Sequence, residues 1–280
     1  MRFLIVMIVN GKTYRTIWIN ANEAPPSHTG HPMNIGIIGG SGLDNPDFFE
    51  TLRDEAVGTP YGEPSSPLKH GKIGGVDVVL LARHGRGHTL PPTQVNYRAN
   101  IHALKMAGCT HILATTAVGS LREEIRRGDL VILDQFIDFT RRRHLTFHES
   151  FEPHAPLHTP MADPFNGALR TLLIAACERL GYAHHPQGTV VTIEGPRFST
   201  RAESRMFRLW GADVINMSIA VEAGLANEAG IPYAAVAMST DYDCWKEEEE
   251  PVSWDAIIAV FKLNAEKVTR LLMQVIPLVK

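Results

Sequence analysis

The stretch Asn34-Ile-Gly-Ile-Ile-Gly-Gly-Ser-Gly-Leu43 decides how the rest of the chain is interpreted. Its first half is a short apolar run, which is typical of a buried strand in an α/β protein. Three glycines and one serine follow from Gly39 to Gly42. Glycine adopts backbone angles that other residues avoid, and it lets backbone N–H groups approach a ligand closely. The stretch therefore predicts a strand that ends in an anion-binding turn.

A dinucleotide-binding turn is the first interpretation to test, because it also places glycines directly after a strand. That fingerprint needs a third glycine three residues after the second, and an acidic residue about 20 residues further on. Asn45 occupies the third position, and no second strand ending in an acid follows. The full phosphate-loop pattern of NTPases is absent as well. The identity of the anion stays open at this point.

The composition argues against several classes of protein. At 280 residues the chain can bury a large core, and its formal net charge of −3 gives no reason to expect nucleic acid or an anionic membrane as a partner. No apolar run approaches the roughly 18 residues of a membrane span. The three cysteines lie far apart and form no Cys-x-x-Cys pair: Cys109, Cys177 and Cys244. This pattern favours a reducing compartment, the cytoplasm, and argues against a cysteine-based metal site.

Strand-like and helix-like segments alternate after Met33. The predicted strands cover residues 35–38, 76–81, 112–117, 130–137, 189–193, 214–217 and 233–239. The predicted helices cover residues 94–107, 164–180, 200–210 and 220–229, with a last helix from near Ser253. The third of these helices opens with the capping-box pattern Thr200-Arg-Ala-Glu203. Alternation of this kind predicts a single α/β domain over residues 34–280, with a mixed, mostly parallel central sheet flanked by helices.

Residues 1–33 differ from the rest of the chain. The apolar run Phe3–Val9, the turn Asn10-Gly11 and the alternating segment Tyr14–Ile19 predict a β-hairpin, with disorder as the alternative. A signal peptide fits poorly because no small-residue cleavage site follows the apolar run. A linker rich in Pro, Ser and His comes next, and Met33 directly precedes the core strand. We regard the segment as an N-terminal extension, and a misassigned translation start as one explanation of it.

Polar side chains follow the predicted strands, at the edge where ligands bind in sheets of this kind. They are Ser41, Arg83, His84, Thr116 and Ser218. Together they supply a guanidinium, hydroxyls and backbone N–H groups, which suit a tetrahedral oxyanion such as phosphate. Any one of them alone is more simply explained as a turn residue or a surface group. Their shared placement at strand ends favours one phosphate site.

The tripeptide Asp241-Tyr242-Asp243 is a second candidate site. If the strand that precedes it continues straight, both aspartates point to the same side. Two neighbouring carboxylates raise the pKa of one of them, and burial raises it further. A carboxyl group that keeps its proton can donate to a ring nitrogen and stabilise a leaving base. The alternative is an Asx-turn that closes the strand, which is the commoner role of an isolated Asp-x-Asp.

Four histidines fall in one loop that contains prolines and arginines: His144, His148, His154 and His158. The spacing of the first two would suit a metal on a helix. However, Pro153 and Pro156 prevent a regular helix, and no His-Glu-x-x-His pattern is present. We therefore expect no metal here and interpret the segment as a mobile loop beside an active site.

Seven ordered blocks of sequence resemble the trimeric purine nucleoside phosphorylase family. They are Ile37–Leu43, Arg83–His88, Asn96–Asn100, Thr115–Ser120, Val191–Ser199, Gly211–Ser218 and Met238–Trp245. The resemblance extends from about residue 34 to residue 278. It implies one α/β domain, a homotrimer, and inorganic phosphate as a co-substrate, without a metal or an organic cofactor.

The resemblance also implies roles for individual residues. The phosphate ligands would be Ser41, Arg83, His84, Thr116, Ser218 and the backbone N–H of Ala117. Phe198 and Met217 would contact the base and the ribose, and Tyr242 would also contact the substrate. Asp241 would act as the catalytic acid toward N7 of the purine, and Asp243 would accept a hydrogen bond from a 6-amino group. Ser199, Trp254 and His158, the last from a neighbouring subunit, would influence specificity.

The implied reaction is phosphorolysis of a purine nucleoside. Within the family the blocks are most similar to members that act on 5′-methylthioadenosine, and two aspartates favour a 6-amino base because a carboxylate repels a carbonyl oxygen. The chain departs from relatives at Ile219-Ala-Val-Glu222, at Trp254 and at its end, Lys280, which leaves the preference for methylthio over hydroxyl open. A broader purine nucleoside phosphorylase acting on adenosine, inosine or guanosine is the main alternative. A non-catalytic nucleotide or phosphate sensor is a second.

Overall fold

The computed structural model describes residues 2–9, 12–20, 33–40, 50–247 and 254–280, some of them, Trp254 included, without their side chains. The chain divides into two units, Met1–Pro32 and Met33–Lys280. In the first unit, β1 (Arg2–Val9) pairs antiparallel with β2 (Lys12–Asn20), as the strands of a hairpin do. The predicted turn, Asn10-Gly11, lies outside the described residues.

The second unit contains one eleven-stranded sheet among its described residues. Its strands are β3 (Asn34–Gly39), β4 (Glu50–Glu55), β5 (Leu68–Ile73), β6 (Val76–Ala82), β7 (His111–Ser120), β8 (Leu130–Ile132), β9 (Gln135–Phe139), β10 (His184–His185), β11 (Thr189–Ile193), β12 (Val214–Asn216) and β13 (Tyr233–Tyr242). The helices are α1 (Tyr97–Met106), α2 (Gly167–Leu180), α3 (Arg201–Leu209), α4 (Ile219–Glu228) and α5 (Trp254–Val275), with 3₁₀ turns at Pro92–Gln94 and Ile276–Leu278. None of the described helices is long and apolar enough to cross a membrane.

Strand β3 lies in the middle of the sheet, between β6 and β7, and is parallel to both. Strand β13 is parallel to β7 on the far side. Antiparallel pairs occur at β4–β5, β5–β6, β8–β13 and β7–β12. The predicted fold class, a mixed and mostly parallel sheet in one α/β domain, is confirmed.

Helices cover both faces of β3, which explains why its side chains are apolar on both sides. Ile35 and Ile37 pack in a cluster with buried residues of α2 and α5. Ile38 packs in another cluster, with buried residues of α1 and α4. All three isoleucines are fully buried. The apolar run therefore positions the following glycine turn at the carboxyl end of a rigid central strand.

Two predicted helices begin later than expected, because asparagine side chains cap their first turns. The Asn96 side chain accepts a hydrogen bond from the Ala99 N–H, so α1 begins at Tyr97 rather than at residue 94. The Asn166 side chain accepts from the Leu169 N–H, so α2 begins at Gly167 rather than at residue 164. The capping box predicted at Thr200 is confirmed, with both reciprocal hydrogen bonds present.

The segment predicted as one strand over residues 130–137 is two strands, so that prediction is wrong. Strand β8 pairs with β10 and β13, whereas β9 pairs with β11. Between them, the Asp134 carboxylate accepts a hydrogen bond from the Gly188 N–H at 2.9 Å and marks the change of partner. Strands β4 and β5 were not predicted, because their sequences are polar and lack a clear alternation.

Candidate active site

A cavity of about 490 Å³ opens at the carboxyl ends of the central strands. Its lining contains one group of residues that suits an oxyanion, which we call the oxyanion end, and another that suits a base, which we call the base end. The oxyanion end includes Gly40, Arg83, His84, Thr116, Ala117 and Ser218, and the base end includes Phe198, Ser199, Met217, Asp241 and Asp243. The structure thus brings most of the predicted site residues into one cavity, as expected for ligands at strand ends.

Arg83 follows β6 and is the largest fully buried side chain of the described residues. Its Nε and Nη2 donate to the two carboxylate oxygens of Glu222, at 2.5 and 2.8 Å. Its Nη1 donates to the Thr115 carbonyl at 2.8 Å, and the Tyr233 hydroxyl donates to Glu222 at 2.9 Å. A guanidinium has five N–H groups, so two remain for a ligand in the cavity.

The Arg83–Glu222 pair is almost completely removed from water, with side-chain exposures of 1% and 0%. Burial alone would lower the pKa of Arg83, but the adjacent Glu222 carboxylate outweighs it and raises the pKa above its ordinary value. Arg83 therefore stays charged, and its charge is already balanced before any ligand binds. The pair leaves two N–H groups of Arg83 for an oxyanion without leaving an uncompensated buried cation.

His84 reaches the cavity from the residue after Arg83. Its Nδ1 lies 2.9 Å from the Leu90 carbonyl oxygen, and its ring stacks on His88 with 4.4 Å between centroids. Burial and the neighbouring Arg83 charge lower the pKa of His84 to about 4. Its ring is therefore uncharged at neutral pH.

Asn216 at the end of β12 organises the hydroxyl groups of the oxyanion end. Its Nδ2 donates to the Thr116 hydroxyl at 3.2 Å, and its Oδ1 accepts from the Ser218 N–H at 3.3 Å and the Thr192 hydroxyl at 2.7 Å. The Thr116 hydroxyl donates to the Ala117 carbonyl at 3.1 Å. These bonds link Thr116, which lies inside β7, to Ser218, which lies between β12 and α4.

Asp241 is largely buried at the base end of the cavity. Burial contributes most to raising the pKa of its carboxyl to about 6, and the Asp243 charge adds to the rise. The rise predicted for one member of the pair is thus confirmed, with burial as its larger cause. The Thr240 hydroxyl donates to Asp241 Oδ2 at 2.7 Å, which opposes part of this rise in pKa, and it also lies 3.2 Å from the Val118 carbonyl.

Asp243 is also buried in the cavity wall, at 5% exposure. The Ser199 hydroxyl lies 2.9 and 2.7 Å from its two carboxylate oxygens and shares its one proton between them. Both aspartates approach the backbone of β7 where Gly119 has no side chain: a Cβ there would lie 3.1 Å from Asp241 Oδ1. The carboxyl pair therefore depends on this glycine for its position.

Arg143 was not predicted, yet it fixes the wall beside the base end. It is 3% exposed and donates to the Met217 carbonyl at 2.6 Å, the Glu194 carbonyl at 2.6 Å and the Tyr97 hydroxyl at 2.9 Å. Gly195, which follows Glu194 in the chain, has a φ of +67°. It lies so close to Met217 that an added Cβ would be 2.4 Å from the Met217 sulfur. Phe198, about half exposed, lies at the rim of the cavity.

Four predicted site residues are not placed in the cavity lining. Ser41 lies outside the described residues, and so does the side chain of Trp254. His158 is exposed and contacts Phe151 edge-on, with 5.8 Å between ring centroids. Tyr242 points away from the cavity, as strand alternation requires for the residue between two inward aspartates. Its hydroxyl donates to the Glu123 carbonyl at 3.3 Å, so the structure does not support its predicted substrate contact.

The residues that were missed differ in how visible they are in the sequence. Glu222 stands alone in the apolar run Ile219–Gly224, and a lone acid in a buried helix signals a paired charge. Arg143 is one of three consecutive arginines, and nothing in the sequence separates it from its exposed neighbours. Asn216 is the last residue of the short strand β12, and no sequence pattern distinguishes it.

This fold and its cavity define an enzyme of the nucleoside phosphorylase type, a pentosyltransferase. The chain belongs to the phosphorylase superfamily, whose family model matches residues 34–277. It is 58% identical over 248 residues to the S-methyl-5′-thioadenosine phosphorylase of Xenopus tropicalis, covering 88% of each chain. It is 53% identical over 246 residues to the enzyme of that name from Anopheles gambiae, again covering 88% of each.

Solved structures are similar at the level of the whole domain. A methylthioadenosine phosphorylase from Schistosoma mansoni in complex with adenine superposes with a TM-score of 0.84 at 44% identity, covering 88% of this chain and 91% of that chain. A variant of the adenosine/methylthioadenosine phosphorylase from the same organism, in complex with methylthioadenosine, gives a TM-score of 0.81 at 43% identity with the same coverage.

The buried ion pair leads to a prediction about stability. Replacing Glu222 with Gln leaves the Arg83 charge buried without a counter-charge, and we expect the free energy of unfolding to fall by about 3–5 kcal/mol. Denaturant unfolding followed by circular dichroism measures the change. Glu178→Gln, on the exposed face of α2, is the control and should change it by less than about 0.5 kcal/mol.

The double variant Arg83→Met/Glu222→Leu separates charge from packing. It removes both charges and should regain part of the lost stability, since an apolar pair of similar volume avoids the desolvation cost. A Glu222→Gln variant with the same free energy of unfolding as the parent would show that Arg83 does not need its counter-charge.

Proposed function

We propose that the protein catalyses the phosphorolysis of S-methyl-5′-thioadenosine with inorganic phosphate. The products are adenine and 5-methylthioribose 1-phosphate, and the reaction serves purine and methionine salvage. The observation that carries the proposal is the pairing, in one cavity, of an arginine-containing oxyanion end with a buried carboxyl whose pKa is raised to about 6. The sequence identity of 58% to an enzyme named for this substrate supports the choice of nucleoside.

The phosphate site in this proposal consists of neutral hydrogen-bonding groups and one balanced cation. Arg83 contributes its two remaining N–H groups, and Thr116, Ser218 and the Ala117 N–H contribute further contacts. His84 and Ser41 complete the set, the latter from the glycine turn outside the described residues. An arginine fork and hydroxyl groups suit the oxygens of a tetrahedral anion.

The chemistry needs two kinds of stabilisation. A phosphate oxygen attacks C1′ while the C1′–N9 bond breaks, so positive charge develops on the sugar and negative charge on the purine. The bound phosphate stabilises the first, and a protonated Asp241 that donates to N7 stabilises the second. Phe198 and Met217 contact the base and the ribose, and the bonds from Arg143 keep Met217 in place.

Asp243 supplies the preference for a 6-amino purine. Its carboxylate accepts from an amino group, and it would leave a 6-oxo group facing a negative charge. The Ser199 hydroxyl, which lies within hydrogen-bond distance of both Asp243 oxygens, holds the carboxylate in position.

The proposal includes a cytoplasmic homotrimer that uses no metal or organic cofactor. The loop that carries His158 exposes several large apolar side chains, namely Leu145, Phe151 and Leu157, at 46–58% exposure. Exposed apolar groups of this kind suit a subunit contact. In that arrangement His158 and Trp254 influence the 5′ end of the substrate, His158 from the neighbouring subunit.

A second candidate is a broader activity that includes adenosine. A solved relative carries the name adenosine/methylthioadenosine phosphorylase, at 43% identity. Adenosine shares the 6-amino group and N7 with the first substrate and differs only at the 5′ position.

A substrate panel tests the proposed function. Purified protein with phosphate should release base from methylthioadenosine fastest, from adenosine more slowly, and from inosine and methylthioinosine at least about tenfold more slowly, since Asp243 opposes a 6-oxo group. Chromatographic detection of free base measures the rates, and reactions without phosphate are the control. No phosphate-dependent release from any of the four nucleosides would reject the proposal.

The raised pKa of Asp241 predicts a pH dependence. Below about pH 6 the carboxyl holds its proton, and above it the donor to N7 is lost from the free enzyme. We therefore expect kcat/KM to decline above pH 6, and Asp241→Asn to lower kcat at least about 100-fold and abolish this limb. Steady-state rates between pH 5 and pH 9 measure both. The control Asp163→Asn, an exposed carboxylate, should keep the wild-type profile; a near-normal rate in Asp241→Asn would remove its assigned role.

Asp243→Asn tests the selection of the base. An amide can donate to a 6-oxo group where the carboxylate could only accept. The ratio of kcat/KM for methylthioinosine to that for methylthioadenosine should rise at least about tenfold. An unchanged ratio, measured in a competition between the two substrates, would place base selection elsewhere.

A further inference from the structure

We propose that Trp245 is a positioning residue for the base end of the cavity, because its indole N–H holds the segment that carries Asp243. Trp245 is not among the described residues that line the cavity. The inference rests on the proposed selection of a 6-amino purine by Asp243. It goes beyond that proposal, since it assigns the support of the carboxylate to a side chain outside the cavity.

One carbonyl oxygen, that of Ser120 at the end of β7, accepts hydrogen bonds from both residues. The Asp243 N–H donates to it at 3.0 Å, and the Trp245 indole N–H donates to it at 2.8 Å. A carbonyl oxygen has two lone pairs, so both bonds can form together. Ser120 is fully buried, and its own hydroxyl donates to the Arg122 carbonyl at 2.7 Å. The backbone of Asp243 and the side chain of Trp245 are therefore anchored at the same fixed point.

The chain between Asp243 and Trp245 is a single residue, Cys244, and a turn closes over it. The Lys246 N–H donates to the Asp243 carbonyl at 3.3 Å. The Cys244 thiol donates to the Ser199 carbonyl at 3.3 Å, and the Ser199 hydroxyl contacts the Asp243 carboxylate. A displacement of Trp245 would therefore shift Asp243 together with its hydroxyl partner.

The Trp245 ring is held in place by its own contacts. The guanidinium carbon of Arg208 lies 3.6 Å from the ring centroid, and a guanidinium over an indole face is attracted to it. The ring also packs against an apolar cluster that includes Ile193 and Ile215, and both of these side chains line the cavity. Trp245 thus connects α3 and this cluster to the backbone that carries Asp243.

Loss of the indole N–H should affect different bases to different extents. A hydrogen bond weakens steeply when its geometry departs from the preferred angles, so Asp243 must be well oriented to accept from an amino group. A 6-oxo base has no amino group to donate and gains no hydrogen bond from that carboxylate. A poorly supported Asp243 should therefore weaken the binding of 6-amino bases selectively and leave the oxyanion end unchanged.

Calorimetric titration of the full-length protein with adenine and with hypoxanthine measures this effect without relying on turnover. Trp245→Phe keeps an aromatic ring and removes the indole N–H. We expect the Kd for adenine to rise about three- to tenfold, as for the loss of one hydrogen bond, and the Kd for hypoxanthine to change less than about twofold. The ratio of kcat/KM for methylthioadenosine to that for methylthioinosine should fall by the same factor. The KM for phosphate should stay within about twofold of the wild-type value.

Two further variants make the test specific. Trp210→Phe is the matched control, because Trp210 is half-exposed and contacts Phe139 and Phe207 edge-on. It should bind both bases as the wild type does. In an Asp243→Ala background, Trp245→Phe should change the Kd for adenine by less than about twofold, since no carboxylate remains to be positioned.

Equal weakening of adenine and hypoxanthine by Trp245→Phe would overturn the inference, because it would indicate a general loosening of the site. A wild-type affinity for adenine in that variant would overturn it as well, and so would an undiminished effect in the Asp243→Ala background. If Trp245→Phe does not fold, Trp245→Met replaces it with the same expected results, since methionine fills irregular space and also lacks the N–H.

Failure of the proposed function is distinguishable from failure of this inference. It appears as the absence of phosphate-dependent base release from the wild type in the substrate panel. Base release by the wild type together with an unchanged preference for adenine in Trp245→Phe would reject only the role of Trp245.

Discussion

The buried ion pair between Arg83 and Glu222 is the interaction on which the cavity depends. It joins the end of β6 to helix α4, and Tyr233 and the Thr115 carbonyl extend it to β13 and β7. A buried guanidinium without a partner would be strongly destabilising, so these four elements must meet in one arrangement. The orientation of Arg83 toward the oxyanion end is a consequence of that requirement.

The charge balance of the cavity follows from the same pair. Since Glu222 balances Arg83 and His84 is neutral, the oxyanion end holds a charged ligand mainly through oriented hydrogen bonds. The base end contains two carboxyl groups, and burial favours keeping a proton on one of them. Each end thus has groups whose protonation state is set by burial, and the substrates meet hydrogen-bond directions that are fixed before binding.

Much of the fold could be predicted because its signals are local. The apolar run before Gly39, the capping box at Thr200 and the alternation of strands and helices each reflect backbone preferences of a few residues. Errors arose where distant partners decide. The break between β8 and β9 depends on Asp134 meeting Gly188, and the polar strands β4 and β5 form because β6 offers an open edge.

The sequence by itself determined the fold class and the family, and most of the site residues that it predicted do line the cavity, because these features follow from short motifs. It identified Asp241 and Asp243 as a pair, but it also predicted a substrate contact for Tyr242 that the structure does not support. Only the tertiary structure decided how these groups are used. The partner of Arg83 is 139 positions away in the chain. The backbone contact of His84 is with a carbonyl six residues further along the chain, and the position of Met217 depends on a buried Arg143. Such facts concern directions and burial, which arise only when distant segments pack together.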